Sequence, residues 1–222
     1  MAIVFARAPV PGEVKTRLIG PLSAVQAATV YRGCLDLALT ALQGLAGVRN
    51  VAAVTPDDGD FDGVIPGDVR IIPQGAGDLG RRLARAADWA FSRGFDRVVM
   101  VGSDCPMLEA SDIRLALDAL EQHDVVIGPA VDGGYYLIGL SKPAPAVFSG
   151  IDWSTERVAP QTVSAAARAG LSVEMLRVLR DLDDVADLRA TVAEPDAGLR
   201  RDDPWLRFRT GLAALLREID GP

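Results

Sequence analysis

Two cations stand two residues apart near the start of the chain: Lys15 and Arg17, in the stretch FARAPVPGEVKTRL (residues 5–18). In an extended segment such a pair faces one side. Both could then grip one polyphosphate, arginine as a planar fork and lysine as a point charge. Gly12 would let backbone N–H groups approach the same oxygens. The alternative is a solvated basic loop. On the polyphosphate reading, Lys15→Ala and Arg17→Ala are each expected to weaken binding without unfolding the chain.

Carboxylates supply the complementary chemistry. Asp104 directly follows the apolar run VVMVGS (98–103), at a strand end where a hard cation could be held. It could equally cap a following helix. RDLDDVADL (180–188) offers Asp181, Asp183 and Asp184 just before a helical pattern, so the same two readings apply there. QGAGDLGRR (74–82) is glycine-rich and opens a helix, whose N-terminus favours anions. In VDGGYYLIGL (131–140), Asp132-Gly133 is a hairpin signal. Asp132 would face an acceptor there, with Gly133 and Gly134 letting it lie against the backbone. Tyr135 and Tyr136 should point to opposite faces of a strand. Trp153 is either a core residue or a ligand platform, and Ser154 is a credible N-cap. Cys105 has no visible base partner, which argues against a nucleophile.

The elements that must position these residues read as follows. Residues 2–6 form a short buried strand. Ser23 and Gln26 make a capping box, and helical spacing continues to about Gln43. Strands are expected at 48–55, 68–73 and 96–102, with a helix over 79–92 closed near Gly94 and another over 111–121. Segments 124–131 and 134–140 flank the Asp-Gly pair. A helix near 154–169, a strand at 171–176 and helices from about 184 and over 204–217 complete the chain. Strands alternate with helices through the first 120 residues. This is a doubly wound α/β pattern with ligands outside the carboxyl ends of the strands, and the late hairpin makes the sheet mixed. Nothing suggests a linker or a repeat, so residues 1–222 are read as one domain.

Bulk properties narrow the function. The 222 residues carry a net charge of −7, which disfavours nucleic acid and anionic membranes as partners. Any phosphate site must be local. Two cysteines, Cys34 and Cys105, fit a reducing cytoplasm rather than a disulfide scaffold. A single histidine, His123, excludes a multi-histidine zinc or iron centre. No stretch approaches the ~20 apolar residues of a membrane span. Met1 leads straight into AIVFA without a basic n-region, unlike a signal peptide.

Four stretches in this order, FARAPVPGEVKTRL, GDLGRRL, GFDRVVMVGSDCPML and GPAVDGGYYLIGL, resemble a bacterial family of GT-A-like transferases. That family is named for its association with radical-SAM and selenodomain genes and is also labelled an arsenosugar-biosynthesis glycosyltransferase family. The resemblance spans nearly the whole chain. More distantly, VKTRL is similar to the Lys-Ser-Arg-Leu element of 2-phospholactate guanylyltransferases. The architecture also resembles molybdenum-cofactor guanylyltransferases and sugar nucleotidyltransferases. Where many of these carry a Gly-x-Gly turn after the first strand, this chain has Pro9, Val10, Pro11 and Gly12.

The resemblance implies a GT-A, Rossmann-like mixed sheet flanked by helices, and an enzyme taking a nucleotide or nucleotide-sugar donor and a small-molecule acceptor. It implies that Asp104 holds Mg²⁺ or Mn²⁺, with Asp183 as second ligand and Asp181 as the spare. Ala6, Arg7, Gly12, Lys15 and Arg17 would border the donor, and Gln74, Leu79 and Gly80 its base. Lys15, Arg17, Asp104 and Asp132 would form the catalytic set. Glycosyl transfer and nucleotidyl transfer both fit. The family label favours the first. The lone Asp104, with Gly102 in place of an Asp-x-Asp, and the KTRL element lean to the second. The rival class is a nucleotide-sensing module without turnover, which metal-dependent hydrolysis or exchange of a donor would exclude.

Overall fold

The computed structural model describes residues 1–194 and 203–221. Seven strands form one mixed sheet: β1 (Ala2–Arg7), β2 (Asn50–Thr55), β3 (Arg70–Pro73), β4 (Val98–Val101), β5 (Val125–Pro129), β6 (Tyr135–Leu140) and β7 (Val173–Met175). Their spatial order is β3-β2-β1-β4-β6-β5-β7. The first four are mutually parallel, β6 runs antiparallel to both its neighbours, and β7 is parallel to β5. The expected mixed α/β sheet is the observed one.

Alternation along β1 explains the layering. Ala2, Val4 and Ala6 face α1 (Ala24–Gln43) and α3 (Ala110–Ala119). Met1 and Ile3 face the opposite layer, built on α2 (Leu79–Phe91) and Ala166 of α4 (Val158–Arg168). A strand buried on both faces must be apolar at every position, and β4 is the run VVMV with all four residues buried. The far side of α1 packs on α5 (Val185–Ala193) and α6 (Pro204–Asp220) through Val30, Cys34, Leu188 and Leu212. Among the described residues, no helix is long and apolar enough to cross a membrane.

Chain order reverses between β1 and β4: β1 leads out to β2 on one side, and β4 returns on the other. Ligands of open α/β sheets bind at such a switch point, beyond the carboxyl ends of the strands. Here those ends release the 8–18 loop and Gly102–Asp104.

Local expectations hold with some corrections. The Ser23–Gln26 capping box closes α1 in both directions. β5 and β6 pair antiparallel, although through a five-residue connection with a register shift at Gly128/Pro129 instead of a bare two-residue turn. Gly133 takes φ 88° there. Tyr135 and Tyr136 do face opposite layers. Two expectations fail. Thr16–Leu18 is a 3₁₀ turn, so Lys15 and Arg17 do not lie in an extended segment. Ser154 caps nothing: it sits at φ 63° in a turn whose hydrogen bonds run through Thr155, from its hydroxyl to Asp152 O and from Arg157 N back to it. These local side-chain bonds delay α4 to Val158.

Candidate active site

Lys15 is one of two non-glycine residues with positive φ among those described, at φ 46° and ψ 42°. Such a conformation is strained for a side chain with a Cβ, and strain of this kind clusters at functional sites. It turns the lysine inward. The side chain is only 3% exposed, and its ammonium contacts Asp104 Oδ1 and lies 3.0 Å from Asp183 Oδ1. Arg17, largely exposed, reaches the other oxygen of Asp183 at 3.5 Å. The two cations thus converge on Asp183 by a route the sequence did not suggest. Burial opposes the charge on Lys15, but Asp104, Cys34 and Asp183 outweigh it and hold its pKa above the ordinary lysine value.

Backbone pairing brings the distant carboxylates here. Ala130 and Leu179 form a bridge, Val131 N donates to Leu179 O, and Leu182 N donates to Asp104 O at 2.9 Å. The 179–183 segment is thereby sewn to the ends of β4 and β5. Neither proposed metal ligand is a helix cap. Glu109 caps α3. Asp184 caps α5, accepting from Ala186 N and Asp187 N, while Asp187 accepts from the amides of Asp183 and Asp184. The Asp183 carboxylate is therefore left to Lys15 and Arg17.

Asp181 sits in the same cluster. Burial, then the charges of Asp104, Asp132 and Asp183, push its carboxyl up to about 7, with Lys15 opposing. Asp132 lies in the β5–β6 turn and accepts from Gly134 N at 2.8 Å. Four carboxylates thus share one region with Lys15 and Arg17. Among the described residues no three or more of His, Cys, Asp and Glu are arranged to hold a metal by themselves. A magnesium ion needs fewer: one or two carboxylates plus substrate phosphates suffice. Asp104 and Asp183 already converge on one cationic point, the Lys15 ammonium, and the surplus of negative charge suits a divalent ion. The residues present fit such an ion.

Two clefts meet at this point. The first, about 610 Å³, is walled by Ala6, Arg7, Lys15, Arg17, Gln74 and Arg82. The second, about 490 Å³, is walled by Asp132, Tyr135, Trp153, Glu156 and Asp181. Arg17, Leu79, Asp104, Ser154 and Asp183 border both.

The remaining sequence-derived residues divide. Gln74 is buried, and its amide donates to Ala6 O and Ala53 O at 3.1 and 2.9 Å, tying the strand ends together. Leu79 is exposed between the clefts. Gly80 is closed off, because a Cβ there would lie 2.6 Å from the Trp153 ring; its smallness admits the indole. Gly12 stands at φ 89° on the exposed tip of the loop and does not line the first cleft. Sequence reasoning missed Arg82 and Tyr31. Arg82 crosses the cleft wall, donating to Gly77 O, Thr55 Oγ1 and Gln74 Oε1. The Tyr31 hydroxyl accepts from Arg7 N at 2.7 Å and lies 3.1 Å from Ser103 Oγ, bracing the ends of β1 and β4. The basic GRR run could have flagged Arg82. No local signal marks Tyr31. Burial pushes both thiols up, Cys34 to about 12, so neither cysteine is a nucleophile poised for attack.

The family model DUF2064, described as "Uncharacterized protein conserved in bacteria", matches residues 37–155. A phosphoenolpyruvate guanylyltransferase of Sphaerobacter thermophilus is 29% identical over 198 residues, covering 85% of this chain and 91% of that protein. A crystal structure from Desulfovibrio desulfuricans G20, described as a "putative nucleotide-diphospho-sugar transferase", superposes with a TM-score of 0.90 at 34% identity, covering 98% of this chain and 96% of that one. A cytidylyltransferase from Leptospira borgpetersenii shares the fold alone, at TM-score 0.55 and 14% identity over 100% of this chain and 96% of that one.

Proposed function

We propose that this chain, which belongs to the bacterial family DUF2064, is a nucleotidyltransferase that moves a nucleoside monophosphate from a nucleoside triphosphate to a hydroxyl of a small molecule. The observation that carries this reading is the buried Lys15 ammonium between Asp104 and Asp183, at the junction of two clefts. The transferase class is supported by the guanylyltransferase relative and by the nucleotide-diphospho-sugar-transferase fold. We take residues 1–222 to act as one domain in the cytoplasm, with neither nucleic acid nor membrane as partner.

The donor occupies the first cleft. Lys15 and Arg17 neutralise its phosphates, Arg82 adds a third cation to the cleft lining, and Gln74 and Leu79 border the base. Asp104 and Asp183 would hold Mg²⁺ or Mn²⁺. Such an ion, when bound, offsets phosphate charge and polarises the group in transfer. The acceptor enters from the second cleft. Its oxygen bonds to the α-phosphorus while the bond to the β-phosphate's bridging oxygen breaks. Pyrophosphate leaves with that electron pair, and the hydroxyl proton passes to Asp132. Positioning and charge stabilisation account for the rate, with no covalent enzyme intermediate. The test is pyrophosphate release from each nucleoside triphosphate with acceptor and Mg²⁺. Release should occur with the native chain and vanish in Asp104→Asn; no release with any triphosphate would overturn the reading.

One observation favours a second reading. The solved structure at 34% identity is described as a "putative nucleotide-diphospho-sugar transferase". Glycosyl transfer in the same site would release a nucleoside diphosphate from a nucleotide-sugar, and the identity of the released product separates the two chemistries.

A further inference from the structure

The two clefts differ in charge. The ionisable residues found only in the first are Arg7, Glu13, Lys15, Tyr31 and Arg82, three cations against one carboxylate. Among those found only in the second, the carboxylates Asp132 and Glu156 stand without any lysine or arginine, and Asp181 beside them adds charge only as pH rises past about 7. Asp104 and Asp183 border both clefts and both pair with the Lys15 ammonium. Arg17 is shared, and it leans on Asp183. The next cation along the chain, Arg157, pairs with Asp152 at 3.0 Å. The second cleft therefore keeps its negative charge after the donor site has been satisfied.

Its remaining wall is aromatic. Trp153 and Tyr135 meet edge to face, with ring centroids 6.3 Å apart. Gly80 leaves room for the indole to pack against α2. An indole face attracts cations and apolar C–H surfaces and offers nothing to a carboxylate or phosphate. Like charges across a recognition surface exclude the wrong partner.

We infer that the acceptor is a hydroxyl-bearing molecule that is uncharged or cationic, such as a sugar, polyol or amino-alcohol, and that the second cleft rejects phosphorylated and carboxylated acceptors. This rests on the nucleotidyltransferase reading and deepens it. It also separates this chain from its Sphaerobacter thermophilus relative, whose name specifies phosphoenolpyruvate, a phosphorylated carboxylate.

The experiment uses the full chain, the triphosphate that binds best by calorimetry, and matched acceptors: glucose, glucosamine, glucose 6-phosphate, gluconate and phosphoenolpyruvate. Pyrophosphate release with glucose or glucosamine should exceed that with the three anions by at least ten-fold. Glu156→Arg should raise the rate with the anionic acceptors several-fold and lower it with glucosamine; a merely structural role would lower all rates together. Preference for an anion, or no turnover of either uncharged or cationic probe while the donor binds, overturns the acceptor assignment. Failure of every triphosphate to bind overturns the reading beneath it instead.

Discussion

The Lys15 ammonium lies 3.0 Å from Asp183 Oδ1, joining residues 168 positions apart, and the same nitrogen contacts Asp104. This one buried cation ties the opening loop to the strand end and to the segment before α5. Its removal should therefore cost stability while the chain still folds. Lys15→Met removes the charge, keeps most of the stem and leaves the carboxylates facing one another. Removing one partner of a fully buried pair costs about 3–5 kcal/mol. Asp104 and Asp183 are 46% and 39% exposed, so solvent screening should reduce the loss to about 1–3 kcal/mol. Urea unfolding measures it. The raised lysine pKa gives stability that is complete below its ordinary value near 10.4 and lost only as pH rises through the higher folded value. The loss in Lys15→Met should thus be the same at pH 6 and pH 9 so far as Lys15 titration is concerned.

Arg17 is the control. Its side chain is 74% exposed and its ion pair is long, so Arg17→Ala should change stability by less than about 0.5 kcal/mol. It should still weaken triphosphate binding, by about 1.5–3 kcal/mol for a lost charge-assisted contact. Unchanged affinity by calorimetry would remove Arg17 from the donor site.

Asp104→Asn keeps the size of the side chain and, because Glu109 caps α3, disturbs no helix end. Folding should survive, and the Mg²⁺-dependent part of nucleotide affinity should disappear. Asp183→Asn should have a weaker effect in the same direction. Calorimetric titrations with and without Mg²⁺ read both; an Asp104→Asn chain that keeps its Mg²⁺ dependence would refute the assignment of this carboxylate to the metal.

What the sequence revealed and what it hid follow from range. Strands β1 and β4 were legible because burial on both faces leaves uninterrupted apolar runs. The Ser23–Gln26 box was legible because both partners are three residues apart. Asp104 could be picked out by its place at a strand end, and Lys15 by its spacing from Arg17 in the loop after β1. Their contact could not, because it depends on a left-handed turn at Lys15 and on the bridge between Ala130 and Leu179. The cap of α5 was ambiguous among neighbouring aspartates until Asp187 fixed it on Asp184. Tyr31 and the Trp153–Gly80 contact carry no local pattern at all, since each partner lies in another element. Ser154 misled because a serine ahead of a helix is a cap only if the turn delivers it there.

Gly133 should be intolerant of substitution whatever the site does. It holds φ 88°, and a Cβ on it would overlap the Glu156 backbone. A β-branched residue resists positive φ and cannot relieve a backbone overlap. Gly133→Val should lose at least about 2 kcal/mol and lower the rate with acceptor more than it lowers donor affinity, because Asp132 and Glu156 move with the turn. A stable variant with full activity would contradict the hairpin geometry.

Asp181 makes the pH dependence testable. Its carboxyl is pushed up to about 7, first by burial and then by Asp104, Asp132 and Asp183. An unfolded aspartate releases its proton near 3.9, so between about pH 4 and pH 7 the folded chain holds a proton that the unfolded chain has lost. Stability must then fall as pH rises through that window and level off above it. The sign is opposite to that of an ion-paired aspartate, whose stability is lost as pH falls. Asp181→Asn removes the titration and the repulsion together. Its melting temperature should match that of the native chain at pH 4 and exceed it at pH 8, by about 2–4 °C for each kcal/mol relieved. The difference should be measured without divalent ions, then with Mg²⁺, which should narrow it by screening the same carboxylates. If Asp181→Asn is instead less stable at pH 8 than at pH 4 relative to the native chain, Asp181 is held by a favourable partner and the crowding of carboxylates at the cleft junction is misjudged.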